Sequence, residues 1–141
     1  MLEKKEEFIE LEIHCLFMEN WILSWHNDIK WFFNEKKWHY QRNNNNFIRR
    51  WISDVIALHK WQTIAIEVKK PSEMKFFDRD IKTLREEYAQ AQFRIKNPKR
   101  YLHALEQKEF LNDVIKNWWI GFFASSVQDV KNKLKENWII L

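Results

Sequence analysis

TIAIEVK (63–69) follows ISDVIAL (52–58) after four residues, and these two runs decide the fold. Both runs are rich in β-branched residues, and the connection between them is short enough for a hairpin. Apolar residues stand at consecutive positions in each run, a pattern typical of strands that helices cover on both faces. The sequence therefore predicts an α/β protein that contains this hairpin.

The hairpin also predicts which side chains face each other. A two-residue loop at Lys60-Trp61 places residues whose numbers sum to 121 in opposite positions on the two strands. Asp54 then faces Glu67, and Lys69 projects from the same face as Glu67 because side chains alternate along a strand. Two opposed carboxylates destabilise a sheet, and a cation between them reverses that effect.

An oxygen-only ligand set of this kind favours Mg²⁺, with Mn²⁺ able to substitute, because no His/Cys cluster has the spacing of a zinc site. A hard divalent ion held by Asp54 and Glu67 would polarise a phosphodiester and lower the pKa of a bound water. Lys69 would orient that water or neutralise developing charge. The alternative is that Glu67 and Lys69 form surface ion pairs and that Asp54 caps a strand.

Apolar spacing predicts the elements before the hairpin. Phe8, Ile9, Ile13, Leu16 and Phe17 recur at helical spacing and predict an amphipathic helix over 5–20. One or two short strands are predicted over 22–33. The stretch from Glu35 to Asn46 ends in four consecutive asparagines and predicts a mobile loop.

After the hairpin, a charged helix is predicted over 76–95, with Pro98 marking its end, and a second helix over 103–117. A strand is predicted from Ile120 to Ala124. Ser126 and Asp129 form a capping box for a last helix. The length predicts one domain that spans residues 1–141.

Composition excludes several classes of protein. Cys15 is the single cysteine, so the chain has no disulfide framework and suits a reducing cytoplasm. The sequence contains no stretch of about 18 apolar residues, so no membrane span is predicted. Residues 30–60 hold seven basic and two acidic side chains, and 69–101 hold ten against five. These blocks indicate a polyanionic partner, although charge runs also form solvated helix faces.

Tryptophan stands where glycine is expected. A chain of this length carries roughly ten glycines at average usage, yet this one has a single Gly121 and nine tryptophans. Most of these tryptophans follow helical stretches or fall in turns, where a left-handed backbone favours glycine. We interpret eight of them as UGA codons that the source organism reads as glycine: Trp21, Trp31, Trp38, Trp51, Trp61, Trp118, Trp119 and Trp138. Trp25 fits an ordinary strand position.

The chain resembles the VRR-NUC branch of the PD-(D/E)XK nucleases. The resemblance rests on RWISDVI (50–56), IEVK (66–69), LEQKEFL (105–111) and WWI (118–120). Every tryptophan in those stretches falls on a glycine of the family pattern. Upstream, Trp21, Ile22, Trp25, Asn27 and Trp31 fit the family's G-x-x-x-W-x-N-x-x-x-G stretch.

The resemblance implies a restriction-endonuclease-like αβββαβ core and a Mg²⁺-dependent DNA endonuclease, with branched or flapped DNA as a substrate. By carry-over, Asp54 and Glu67 are metal ligands, Lys69 is the catalytic lysine and Gln107 lies near the site on a helix. Helical periodicity agrees on the last point, because Gln107 shares one helix stripe with Leu111 and Val114 and is therefore expected to face the sheet. An acidic residue of the first helix completes the site, and the sequence does not separate Glu10 from Glu6.

Two features depart from the family or lie beside its motifs. Ser53 replaces the proline common before the aspartate. Residues 70–101 form an insertion that would contact nucleic acid or a second copy of the chain in a homodimer. The candidate phosphate-binding residues are Arg42, Arg49, Arg50 and Lys70, with simple solvation of these cations as the alternative.

A second hypothesis assigns the chain no catalysis. In that case the tryptophans are real, and the protein is a nucleic-acid-binding or assembly module whose indoles stack on bases or fill an interface.

Overall fold

The computed structural model describes residues 2–26, 31–34, 39–42, 53–94 and 98–141. The elements in chain order are α1 (Glu6–Glu19), β1 (Leu23–His26), β2 (Trp31–Asn34), β3 (His39–Arg42), β4 (Val55–His59), β5 (Gln62–Val68), α2 (Met74–Phe77), α3 (Ile81–Arg94), α4 (Pro98–Lys116), β6 (Ile120–Ala124) and α5 (Val127–Glu136). A 3-10 turn over Pro71–Glu73 leads into α2. The chain is therefore a mixed α/β protein, as the sequence predicts.

Four of the strands form one mixed sheet in the order β1-β4-β5-β6. β4 is antiparallel to both of its neighbours, and β6 runs parallel to β5. Val55 lies opposite Ile66 and His59 lies opposite Gln62, which confirms the predicted hairpin register. β2 and β3 pair with each other in a separate two-stranded sheet.

Helices cover both faces of the four-stranded sheet, which explains the apolar residues on both sides of the central strands. On one face, Ile9, Ile13 and Phe17 of α1 pack with Ile64 and Ile66 of β5, and Val130 and Leu134 of α5 join them. On the other face, a second cluster contains Ala65 of β5, Phe77 of α2, and Leu111 and Val114 of α4. The alternation along β5 thus turns Glu67 toward the face that carries α4.

Three helices end in the same backbone motif. After α1, the amide of Trp21 donates to the Met18 carbonyl and the amide of Ile22 donates to the Phe17 carbonyl. The same pair of bonds closes α4 at Trp118 and α5 at Trp138. These are Schellman motifs, which place one left-handed residue just after the helix and favour glycine there. The residue in that position has a φ of 56° at Trp21, 66° at Trp118 and 64° at Trp138.

The hairpin loop differs from the expectation in one respect. Lys60, with a φ of 54°, holds the left-handed position, whereas Trp61 has a negative φ. A two-residue loop with a positive φ at its first central residue and not at its second matches a type II′ turn, whereas type I′ requires a positive φ at both. Glycine is therefore favoured at Lys60, and the prediction that the turn needs it at Trp61 is wrong.

The segment over 70–101 is divided into more elements than the sequence predicts. The predicted helix over 76–95 is interrupted after Phe77 and begins again as α3 at Ile81. Asp80 caps this second helix, because its carboxylate accepts a hydrogen bond from the backbone amide of Thr83 at 2.8 Å. Pro98 begins α4 instead of ending the previous helix, consistent with the preference of proline for a first helical turn.

Two further predictions concern the asparagine-rich segment and the last helix. The loop predicted over Glu35–Asn46 is wrong at His39–Arg42, because these residues pair with β2 as β3; positions 35–38 and 43–46 lie outside the described residues. The cap of α5 is confirmed, since Ser126 Oγ accepts from the amide of Asp129 at 3.1 Å. The Asp129 carboxylate in turn accepts a hydrogen bond from the backbone amide of Ser125 at 2.8 Å.

Candidate active site

The polar residues of the hairpin meet where β5 ends. Asp54 lies one residue before β4, and its Oδ2 accepts from the backbone amide of Val68 at 2.9 Å. Val68 stands between Glu67 and Lys69, so this bond holds Asp54 beside the E-x-K segment. Glu67 is 1% exposed and Lys69 is 7% exposed. Charged groups this buried need partners, because transfer of a charge out of water is costly.

One partner of Glu67 comes from α4. The Nε2 of Gln107 donates to Glu67 Oε2 at 2.9 Å, and Gln107 is itself 4% exposed. Leu111 and Val114, on the same stripe of the helix, are also buried, which confirms that this stripe faces the sheet. No described residue provides a hydrogen-bond partner for the buried Oε1 of Gln107. An amide oxygen is thus available inside the protein next to the Glu67 carboxylate.

α1 contributes two carboxylates to the same corner. Burial raises the pKa of Glu6; the Lys69 ammonium partly opposes this, and the Glu73 and Asp54 carboxylates raise the pKa further. Burial also raises the pKa of Glu10, against the lowering effect of its contact with His26. Both side chains lie close enough to Asp54 for its charge to affect them, so the structure brings both candidates to the corner and does not choose between them.

Three residues of this corner were not predicted from the sequence to belong to the site. His26 Nδ1 contacts Glu10 Oε1, and the strand register places His26 opposite Val55, next to Asp54. Glu73 lies beside Glu6. The ring of Phe77 lies 4.6 Å from Lys69 Nζ. The β1–β4 register could have revealed His26 once β1 was aligned, but Phe77 lay on an apolar helical stripe and gave no signal of its contact with the lysine.

The donor chemistry at the corner fits a hard cation. Asp54 and Glu67 supply carboxylate oxygens, and the Gln107 Oε1 adds a buried oxygen without a partner in the described part of the chain. Within the described ranges, no group of three or more His, Cys, Asp or Glu side chains is arranged to hold a metal ion. Mg²⁺ does not require such a group, because it keeps several waters and binds through one or two carboxylates.

The predicted phosphate-binding residues are not brought together by the described structure. Arg42 ends β3, where its backbone pairs with Trp31. Arg49 and Arg50 lie outside the described residues. Lys70 is exposed and follows Lys69 directly at the end of β5. Of the four, Lys70 is the one that the described part of the chain places beside the candidate site.

Comparisons of the chain with protein-family models, with curated proteins and with solved structures found no match. Among the described residues, no helix has both the length and the apolar character needed to cross a membrane.

Proposed function

We propose that this chain is a Mg²⁺-dependent DNA endonuclease with a restriction-endonuclease-like core, and that Mn²⁺ can replace Mg²⁺. The observation that carries the proposal is the convergence of Asp54, Glu67 and Lys69 at one end of the β4–β5 hairpin, with Gln107 donating to Glu67 at 2.9 Å. Two carboxylates, a lysine and a buried amide at a single corner match the needs of phosphodiester hydrolysis. A preference for branched or flapped DNA follows only from the family resemblance.

In this mechanism, Asp54 and Glu67 would hold the ion, which when bound would polarise the phosphodiester and lower the pKa of a bound water. The Val68 amide fixes the orientation of Asp54, and the Gln107 amide fixes that of Glu67. Lys69 places its ammonium at the same end of the sheet, where it neutralises the negative charge that develops on the phosphate. Glu6 or Glu10, whose pKa values are raised by burial, accepts or holds a proton beside Asp54.

The alternative function rests on the exposed indoles. Trp21, Trp61, Trp118 and Trp138 are 91–100% exposed. Exposed tryptophans suit base stacking or an interface, so a binding or assembly module remains the second candidate. Three of these four residues hold left-handed backbone, however, and a large side chain at such a position is strained.

That strain supports the interpretation of these tryptophans as glycines encoded by UGA. Glycine has no Cβ and adopts the left-handed conformation without the steric penalty. Gly121, the single glycine of the sequence, has a different role. A Cβ at this position would approach side-chain atoms of Leu111 and Val114 at 3.1 Å, so the glycine allows α4 to pack closely on β6. Reading the nine tryptophan codons in the source DNA tests the interpretation, with UGA expected at eight of them and UGG at Trp25.

An Asp54→Ala variant discriminates between the two functions. If the chain is a nuclease, this variant should bind a DNA duplex with the affinity of the parent chain and should lose Mg²⁺-dependent cleavage. Exposed Glu136 on α5 provides a matched control, Glu136→Ala, which removes one carboxylate far along the chain from the hairpin and should cleave normally. Unchanged cleavage by Asp54→Ala would contradict the proposal.

A further inference from the structure

Beside the candidate site, three phenylalanine rings form a connected cluster. Phe76 and Phe77 meet edge to face with their centroids 5.4 Å apart, and Phe77 meets Phe123 of β6 at 5.3 Å. All three side chains are buried, with exposures between 4% and 8%. Phe76 and Phe77 come from α2, so the insertion builds most of this cluster.

Four cations lie over these rings. The first is Lys69, at 4.6 Å from the centre of Phe77. Arg100, in the first turn of α4, lies 4.0 Å from the centre of Phe76, and Arg79 lies 5.5 Å from the same ring. Lys108, one residue after Gln107, lies 5.6 Å from the centre of Phe123. The lysine of the candidate site therefore belongs to a larger set of stacked cations.

We propose that Arg100 and Lys108, held on these rings, form a surface that binds the phosphate backbone of DNA beside the cleavage site. This inference rests on the proposed nuclease function and names the surface that holds its substrate. Arg79 is a weaker member, because its guanidinium also pairs with Glu87.

Stacking prepares these cations for phosphate. Arg100 holds its guanidinium 4.0 Å from the centre of Phe76, and contact with the ring restricts the rotamers that binding to a phosphate would otherwise have to order. Burial lowers the pKa of Lys108, which Asp78 and Asp80 partly oppose. A partly desolvated cation of this kind gains more from an incoming phosphate than a fully hydrated one does.

The distances suit a nucleic acid strand. Through the contacts of 4.6, 5.4 and 4.0 Å in succession, Arg100 lies within about 14 Å of Lys69, a span of no more than a few phosphates of one strand. Through Phe77 and Phe123, Lys108 lies within about 16 Å of Lys69. A bound strand can therefore contact this surface and the candidate site at once.

The test measures DNA binding without metal. A fluorescently labelled duplex is titrated with the parent chain and with an Arg100→Gln/Lys108→Gln variant in EDTA, over a series of salt concentrations. Loss of two phosphate contacts should reduce the slope of log affinity against log salt by about 1.8, which is about 60-fold weaker binding at 0.1 M salt if the affinities converge at 1 M. Lys131→Gln/Lys135→Gln on α5 removes the same charge from the other face of the sheet and should keep the parent slope.

The outcomes separate this inference from the function on which it rests. If the Arg100/Lys108 variant melts like the parent chain and binds with the parent slope, the phosphate-binding surface is refuted even when the parent chain cleaves DNA. If it binds with the reduced slope but the parent chain never cleaves with Mg²⁺, the nuclease proposal fails and the surface stands. An equal loss in the α5 control variant also refutes the inference, because the loss would then reflect net charge alone.

Discussion

Replacement of Trp21, Trp118 and Trp138 by glycine should stabilise the protein. Each of these residues occupies the left-handed position that follows a helix, with φ between 56° and 66°. Their side chains are 91–97% exposed, so their removal creates no cavity and breaks no core contact. The expected gain is therefore relief of backbone strain, without a packing loss to oppose it.

The size of the gain follows from two opposing effects. A left-handed conformation costs a residue with a Cβ roughly 1–2 kcal/mol. Glycine in turn loses about 0.5–1 kcal/mol more conformational entropy on folding than other residues do. Three sites together should raise the free energy of unfolding by about 2 kcal/mol. At about 0.3 kcal/mol/K of unfolding entropy for a chain of this length, the triple variant should melt about 7 °C higher than the parent chain.

Thermal unfolding followed by circular dichroism measures this difference, and the hairpin supplies two controls. Trp61 is fully exposed but has a negative φ, so Trp61→Gly should melt at the same temperature as the parent chain or slightly lower. Lys60 has a φ of 54°, so Lys60→Gly should melt higher. A triple variant that melts no higher than the parent chain, or a Trp61→Gly variant that matches its gain, would refute the argument from backbone strain.

Three further predictions concern the candidate site. Mg²⁺ at ten times its dissociation constant should stabilise the parent chain by about 1.4 kcal/mol, or about 5 °C, and Glu67→Gln should abolish this shift in a melting assay. Gln107→Leu should destabilise the protein by about 1–3 kcal/mol, because the buried Glu67 carboxylate loses a hydrogen-bond donor. The control Asn112→Leu, on the exposed side of α4, should have little effect on the melting temperature. Because burial raises the pKa of Glu6, the folded protein holds that proton more tightly than the unfolded chain, and stability falls as pH rises from about 4.3 through the raised pKa. Glu6→Gln lacks this loss, so the difference between its melting temperature and that of the parent chain should rise across this pH range. A difference that stays constant with pH would contradict the raised pKa of Glu6.

The hairpin could be predicted from sequence because its information is local. Strand alternation and a two-residue loop fixed the register of Val55 with Ile66, and the same alternation put Glu67 and Lys69 on one face. The side of α4 that carries Gln107 followed from helical periodicity for the same reason. Each of these inferences uses residues within one hairpin or one helix.

The parts that failed depend on contacts between distant segments. β3 forms because His39–Arg42 pairs with β2, which overrides the loop character of the surrounding composition. The break after Phe77 has a local part, the cap that Asp80 forms with Thr83, and a distant part, the packing of Phe77 against Phe123, 46 positions later. The contact of Phe77 with Lys69 and that of His26 with Glu10 likewise join separate elements, and no periodicity in one sequence reports them.

The most direct test of the central claim is a single-turnover cleavage assay on labelled branched and duplex DNA. The protein is the chain that carries glycine at the eight positions, and a Lys69→Met variant of it is measured in parallel. The account predicts cleavage that requires Mg²⁺ or Mn²⁺, and a loss of about a hundredfold or more in Lys69→Met, as for removal of other groups that stabilise developing charge. The variant should keep the Mg²⁺-induced rise in melting temperature, because Asp54 and Glu67 remain. Two results would contradict the account. One is a folded eight-glycine chain that leaves every substrate intact with either metal; the other is a Lys69→Met variant of it that cleaves at the same rate.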